Sequence, residues 1–271
     1  MKNFFLYAGY GRAGSTWLYG ELNARGDCEF SHIKEHFLFV DFTLNPEFDK
    51  SNFFDLYETL AENPEVKLLG EISPSNAYAT VDQLLWFKSE AEKRNFNVLP
   101  VMTLRDPVDQ VASVMKLVEN TNVVRSMVNN EDELRKTMRN MRMGVIPRPN
   151  IEITFDIVKR NLDNTPFSEI EVPWRETYNN FKQVFGKIHV NLFETLFTPT
   201  SMNMLCDYLE IPMSDFNYDV VKNKQGKSAV LTDDEKQYIF DNGKNFSENY
   251  QFAVDIFGKD NIESVWWTPN K

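Results

Sequence analysis

Phe4-Phe5-Leu6-Tyr7-Ala8-Gly9-Tyr10-Gly11-Arg12-Ala13-Gly14-Ser15-Thr16-Trp17-Leu18 joins an apolar strand to a glycine-bearing turn and then to a helix start. Gly9 and Gly14 stand where the two glycines of G-x-x-x-x-G-K-[ST] belong. A turn of that kind converges backbone N–H groups on an anion at the positive end of the following helix. The lysine of the motif is missing: Ser15 holds its place, and the cation inside the turn is Arg12. This argues against ordinary ATP or GTP hydrolysis while keeping the anion cradle, so the stretch predicts a P-loop-NTPase-like phosphate loop built from Arg12, Ala13, Gly14, Ser15 and Thr16.

A second strand-to-helix turn follows. Val98-Leu99-Pro100-Val101-Met102-Thr103-Leu104 reads as a buried strand that runs into Arg105-Asp106-Pro107, with Pro107 suited to the first helical position and Ser113 further along the helix. Arg12 and Arg105 thus each sit between a strand and a helix N-terminus, where ligands of open α/β sheets bind. Taken together, Arg12-Ala13-Gly14-Ser15-Thr16-Trp17-Leu18 and Arg105-Asp106-Pro107 with Ser113 resemble the two phosphate sites of sulfotransferases that use 3′-phosphoadenosine 5′-phosphosulfate (PAPS). The resemblance implies that the first loop holds the 5′-phosphosulfate and that Arg105 and Ser113 grip the ribose 3′-phosphate. It also implies PAPS as sulfonate donor, adenosine 3′,5′-bisphosphate as product and no metal.

Between the two turns lies Ser31-His32-Ile33-Lys34-Glu35-His36-Phe37-Leu38-Phe39. It resembles the segment in which the carbohydrate and protein branches of that family carry the glutamate that deprotonates the acceptor hydroxyl. Glu35 is therefore the expected general base, with Arg12 stabilising charge on the transferring group. Glutamates are mostly surface residues, but carboxylates with perturbed chemistry cluster at sites. His32-Ile33-Lys34-Glu35-His36 also spells H-x-x-E-H, a zinc motif of metallopeptidases. That motif works on a helix, where both imidazoles share a face. Here the aromatic, β-branched run Phe37-Leu38-Phe39-Val40 and then Asn45-Pro46 oppose one.

Other segments extend the resemblance. Gly70-Glu71-Ile72-Ser73-Pro74-Ser75-Asn76-Ala77-Tyr78 resembles the E-K-[ST]-P-x-Y stretch of the glycan branch, with Ile72 in place of its lysine. Glu71 is read either as an ion-pair partner or as an acceptor contact. Gln110 stands where many relatives have a second arginine. His189 to Leu196, the helix opened by Pro199 and Glu210-Ile211-Pro212 are similar to the late strand, turn and helix of the family. Lys222-Asn223-Lys224-Gln225-Gly226-Lys227-Ser228 is a basic loop at the position where sulfotransferases close over the 3′-phosphate, which makes Lys227 a cofactor candidate. Trp17 suits either stacking near adenine or the core.

The chain has 271 residues, 42% hydrophobic, with a formal net charge of −11. It is long enough to bury a sizeable core in a single sulfotransferase domain over 1–271. The acidic balance disfavours nucleic acid and anionic membranes, both of which require a basic face. Cys28 and Cys206 are far apart and outside any C-x-x-C, so they read as buried small residues. Met1-Lys2-Asn3 leads directly into the first strand, with no signal-peptide pattern, and the expected location is cytoplasmic.

Strands are expected at 3–9, 27–32, 66–71, 97–104 and 187–193, and helices at 15–25, 51–62, 80–94, 107–118, 130–142, 199–210 and 232–242. This alternation predicts an α/β fold with a central, mainly parallel sheet flanked by helices. The resulting expectation is a sulfotransferase acting on a small-molecule, glycan or peptide hydroxyl. The alternative is a nucleotide-binding protein that keeps the cradle without the chemistry, against which Arg12 and Glu35 argue together.

Overall fold

The computed structural model describes residues 1–31, 34–36, 38–40, 51–142, 149, 154–163, 173–219 and 231–269. Five strands, β1 Lys2–Tyr7, β2 Cys28–Phe30, β3 Leu68–Glu71, β4 Phe96–Leu104 and β5 His189–Leu192, form one sheet in the order β2-β3-β1-β4-β5. Every pairing is parallel. The expected α/β class with a parallel sheet flanked by helices is therefore observed. β1 lies at the centre, with β3 and β4 as its neighbours. The order reverses between β1 and β4, which makes their carboxyl ends the topological switch point where open α/β sheets bind ligands.

Why β1 is central follows from its residues. Phe4, Phe5, Leu6 and Tyr7 are all buried, as a parallel strand covered on both faces requires. Alternate side chains serve opposite layers. Phe5 and Tyr7 join a core with Trp17, Leu18 and Leu22 of α1 (Ser15–Asn23) and Leu205, Cys206 and Leu209 of a later helix, Pro199–Leu209. Phe4 points to the other side, where its ring meets Tyr57 edge-on at 4.9 Å and Phe87 at 5.7 Å. Those rings come from α2 (Ser51–Ala61) and α3 (Val81–Lys93). Cys28 and Cys206 are both buried free thiols within the first of these cores.

By packing, the chain forms two compact units, Met1–Arg105 with Val172–Lys222, and Asp106–Glu171 with Asn223–Lys271. The first holds the sheet. Among its described residues, the second is helical: α4 Pro107–Arg125, α5 Glu131–Arg142, α6 Phe155–Asp163 and three helices near the C-terminus, Asp233–Asn242, Phe246–Phe257 and Lys259–Val265. Val108, Val111 and Met115 of α4 pack with Val158, Ile239 and Phe246 in its core.

Most boundaries fall within a few residues of expectation, with two kinds of difference. α4 runs to Arg125 instead of stopping at 118, because Asn120 and Val124 continue its buried face at a spacing of four. Helices at Phe155–Asp163, Phe246–Phe257 and Lys259–Val265, and α7 (Trp174–Phe185) of the first unit, were not expected. In α7 the buried face Trp174, Thr177, Phe181 and Val184 has helical spacing, yet its residue types are poor helix formers. No helix of the described residues is long and apolar enough to cross a membrane.

Candidate functional site

The loop after β1 is shaped by two glycines. A Cβ on Gly9 would lie 2.6 Å from the Tyr7 ring and 2.8 Å from the backbone N of Thr103, so only glycine lets the loop pass this close to β4. Gly14 has φ of +87° and caps α1 without a side chain. Its carbonyl accepts from the Trp17 and Leu18 N–H groups. No side-chain cap bond closes the helix start at Gly14, and an uncapped helix start is the kind of place where an anion can bind. Ala13 and Ser15 are buried, and Thr16 is half-buried at the same turn.

Arg12 is a non-glycine residue at φ of +68°, a conformation that costs roughly 1–2 kcal/mol. The guanidinium of Arg105 offsets that cost by donating to the Arg12 carbonyl at 2.8 Å. Arg105 itself lies over the Phe193 ring, 4.4 Å from its centroid. Phe193 opens α8 (Phe193–Leu196), and Leu196 of the same turn packs where a Cβ on Gly14 would fall. The buried Tyr10 hydroxyl pairs with Thr177 of α7, which donates in turn to the Ala77 carbonyl at 3.0 Å. Burial pushes the Tyr7 and Tyr10 hydroxyls well above the usual tyrosine range, so both stay neutral beneath the loop.

Glu35 reaches this cradle through its neighbour. Lys34 Nζ donates to Ser15 Oγ at 3.3 Å and to Glu35 Oε1 at 2.7 Å. Lys34 carried no assigned role in the sequence, although a phosphate loop without its own lysine calls for a cation from elsewhere. The segment is held from below by Glu71, at the end of β3. Glu71 is buried and accepts from the Ser73 N–H at 3.2 Å, the His36 N–H at 3.4 Å and the Asn76 amide. Burial pushes its carboxyl up to about 7, against those donors and the Lys34 charge, which act to lower it. Glu71 is thus tied by hydrogen bonds to its own stretch and to the His36 N–H, with the Lys34 charge acting on it. Ile72, at the position of the family lysine, is packed in the core.

The remaining candidates are placed as follows. Trp17 is a core residue: its indole N–H donates to the Asn217 carbonyl at 3.1 Å, and its ring meets Phe197 edge-on at 5.0 Å. That leaves its ring no face for adenine. Asp106 caps α4 by accepting from Val108 and Asp109, and also from Trp267, and burial raises its carboxyl. Ser113 is half-buried on α4, and Gln110 is exposed to a similar degree there; both belong to the second unit. Lys227 and the 222–228 loop lie outside the described residues. His32 does too, and the described part of the H-x-x-E-H match, Lys34-Glu35-His36, is not helical. His36 packs edge-on against Phe53 at 5.6 Å.

In fold, the chain resembles sulfotransferases. The crystal structure of a sulfotransferase from Alicyclobacillus acidocaldarius matches with a TM-score of 0.51 and 16% identity, over 96% of this chain and 97% of that one. Mouse sulfotransferase SULT7A1, solved in complex with PAP, matches with a TM-score of 0.41 and 12% identity, over 97% of this chain and 88% of its own. No family model and no curated protein sequence matches. At these identities the likeness is one of fold: the chain has a sulfotransferase-like α/β fold, and its chemistry rests on its own residues.

Proposed function

We propose that the chain, read as one domain over residues 1–271, is a PAPS-dependent sulfotransferase acting on an acceptor hydroxyl. The observation that carries this reading is the side-chain-free start of α1, linked by Lys34 to a carboxylate: an anion cradle and a base joined through one ammonium. The loop amides of Ala13 and Gly14, with Ser15 and Thr16, hold the 5′-phosphate end of the donor. Arg105, whose guanidinium donates to the Arg12 carbonyl, takes the 3′-phosphate that distinguishes PAPS from ATP.

In the reaction the acceptor oxygen forms a bond to sulfur as the bond between sulfur and the 5′-phosphate oxygen breaks. The acceptor proton passes to Glu35, and adenosine 3′,5′-bisphosphate leaves with the electron pair. Arg12 and the loop amides stabilise the charge that gathers on the transferring group and the leaving phosphate. Positive charge comes from protein groups at every step, so the scheme uses no metal.

Calorimetry with chelator present tests this. Adenosine 3′,5′-bisphosphate is expected to bind more tightly than AMP or ATP. Equal affinity for AMP, or a strict need for magnesium, overturns the reading. Tight bisphosphate binding with no sulfonate transfer to any acceptor in a host extract would instead identify a nucleotide-binding protein without the chemistry.

A further inference from the structure

Resting on that reading, we infer that Phe193 is the positioning residue of the 3′-phosphate subsite: its ring orients the Arg105 guanidinium, and through it sets the preference for a bisphosphate over a monophosphate. Strand register brings the two residues together. β4 and β5 run parallel with Leu104 opposite Leu192, so Arg105 and Phe193 are the first residues past the paired ends, at the carboxyl edge of the sheet. There the guanidinium carbon lies 4.4 Å from the centroid of the Phe193 ring.

Two different contacts define the orientation. The ring face restricts the position of the planar guanidinium, and the 2.8 Å hydrogen bond from Arg105 Nη1 to the Arg12 carbonyl restricts its rotation. Neither the ring nor the carbonyl carries a net charge, so these two contacts orient the cation without neutralising it. The ring is itself held from behind. It meets Phe197 edge-on at 5.1 Å, and Phe197 meets Trp17 edge-on at 5.0 Å. A Cβ on Gly14 would lie 3.4 Å from the same Phe193 ring, which therefore stands beside the first phosphate loop as well as beside Arg105. An orienting role and a packing role differ in what they predict. Packing against Gly14 supports the 5′-phosphate loop and affects every ligand with a 5′-phosphate; orienting Arg105 affects only ligands that also carry a 3′-phosphate.

A cycle between the ring and the 3′-phosphate of the ligand separates the two. Adenosine 3′,5′-bisphosphate and AMP differ in that phosphate alone, and calorimetry on both gives the preference of each variant. A cation over an aromatic face is worth about twofold at an exposed site and about thirtyfold when desolvated. Arg105 and Phe193 are both half-buried, and Phe193→Leu is expected to reduce the preference for the bisphosphate by about three- to tenfold while AMP affinity stays within about twofold. Phe193→Tyr keeps a ring and should keep the preference. In an Arg105→Ala background, Phe193→Leu should change both affinities by the same factor, within about twofold. Phe193→Met, unbranched and apolar, carries the same expectation should Phe193→Leu fail to fold. Equal losses for the two ligands in the aliphatic variants, or an unchanged preference, overturn the inference while leaving the donor reading intact. Failure of the unaltered protein to prefer the bisphosphate overturns both.

Discussion

On the proposed reading Glu35 meets two opposed demands: it must be held near the loop, and it must be able to accept a proton. The 2.7 Å contact with Lys34 satisfies the first in the absence of ligand. Only the chemical step requires the second. Glu35→Gln is therefore expected to lower turnover by about a hundredfold or more while keeping bisphosphate affinity within about fivefold. Steady-state rates beside calorimetry give both quantities, and near-full turnover of the variant with a good acceptor would assign the base elsewhere. Arg12 shows the same economy of parts. Its left-handed backbone aims the loop, and Arg105 stabilises that conformation through the Arg12 carbonyl. The sequence named both arginines as candidate ligand groups, but it held no sign that one braces the other.

At the scale of elements, Glu71 ties the end of β3 to the segment that carries Glu35. Its carboxyl titrates at about 7 in the folded chain, above its usual value, with burial the main cause. A raised carboxyl means that the folded state favours the neutral form. The stabilisation is fully present below the unfolded value and is lost as pH rises through about 7, by about 3 kcal/mol in all. Urea unfolding of the unaltered protein and of Glu71→Gln, at steps from acidic to mildly alkaline pH, isolates this contribution. The stability difference between the two should shift toward Glu71→Gln as pH rises, and parallel pH profiles would show that Glu71 titrates normally. The strands and the helix starts at Ser15 and Pro107 were legible in the sequence, because buried apolar runs and Gly or Pro punctuation are local signals. The order β2-β3-β1-β4-β5 was not, since strand neighbours are chosen by packing across long separations. Lys34 escaped for a similar reason: nineteen positions separate it from Ser15, and only the folded chain brings them to 3.3 Å.

At the scale of the whole molecule, charge bears on the acceptor. The chain carries 40 acidic residues against 29 lysines and arginines, and a long polyanion approaching it meets net repulsion. Two basic residues of the second unit are already engaged. Arg160 is paired with Glu119 at 2.7 Å, and Lys159 lies over the Tyr238 ring, 5.0 Å from its centroid. Ile72 removes a further cation from the stretch where the glycan branch carries lysine, and its burial commits that position to the core. The acceptor is therefore expected to be a hydroxyl on a neutral or weakly charged, partly apolar molecule. A panel of heparan-like glycans, tyrosine peptides, simple sugars, phenols and lipid alcohols, each offered with labelled PAPS, would rank the classes directly. Repeating the panel in added salt separates charge from shape, because screening should raise any residual sulfation of the polyanion while leaving the neutral acceptors nearly unchanged. Preferential sulfation of the heparan-like polymer at low salt would show that a local basic surface outweighs the net charge of the chain.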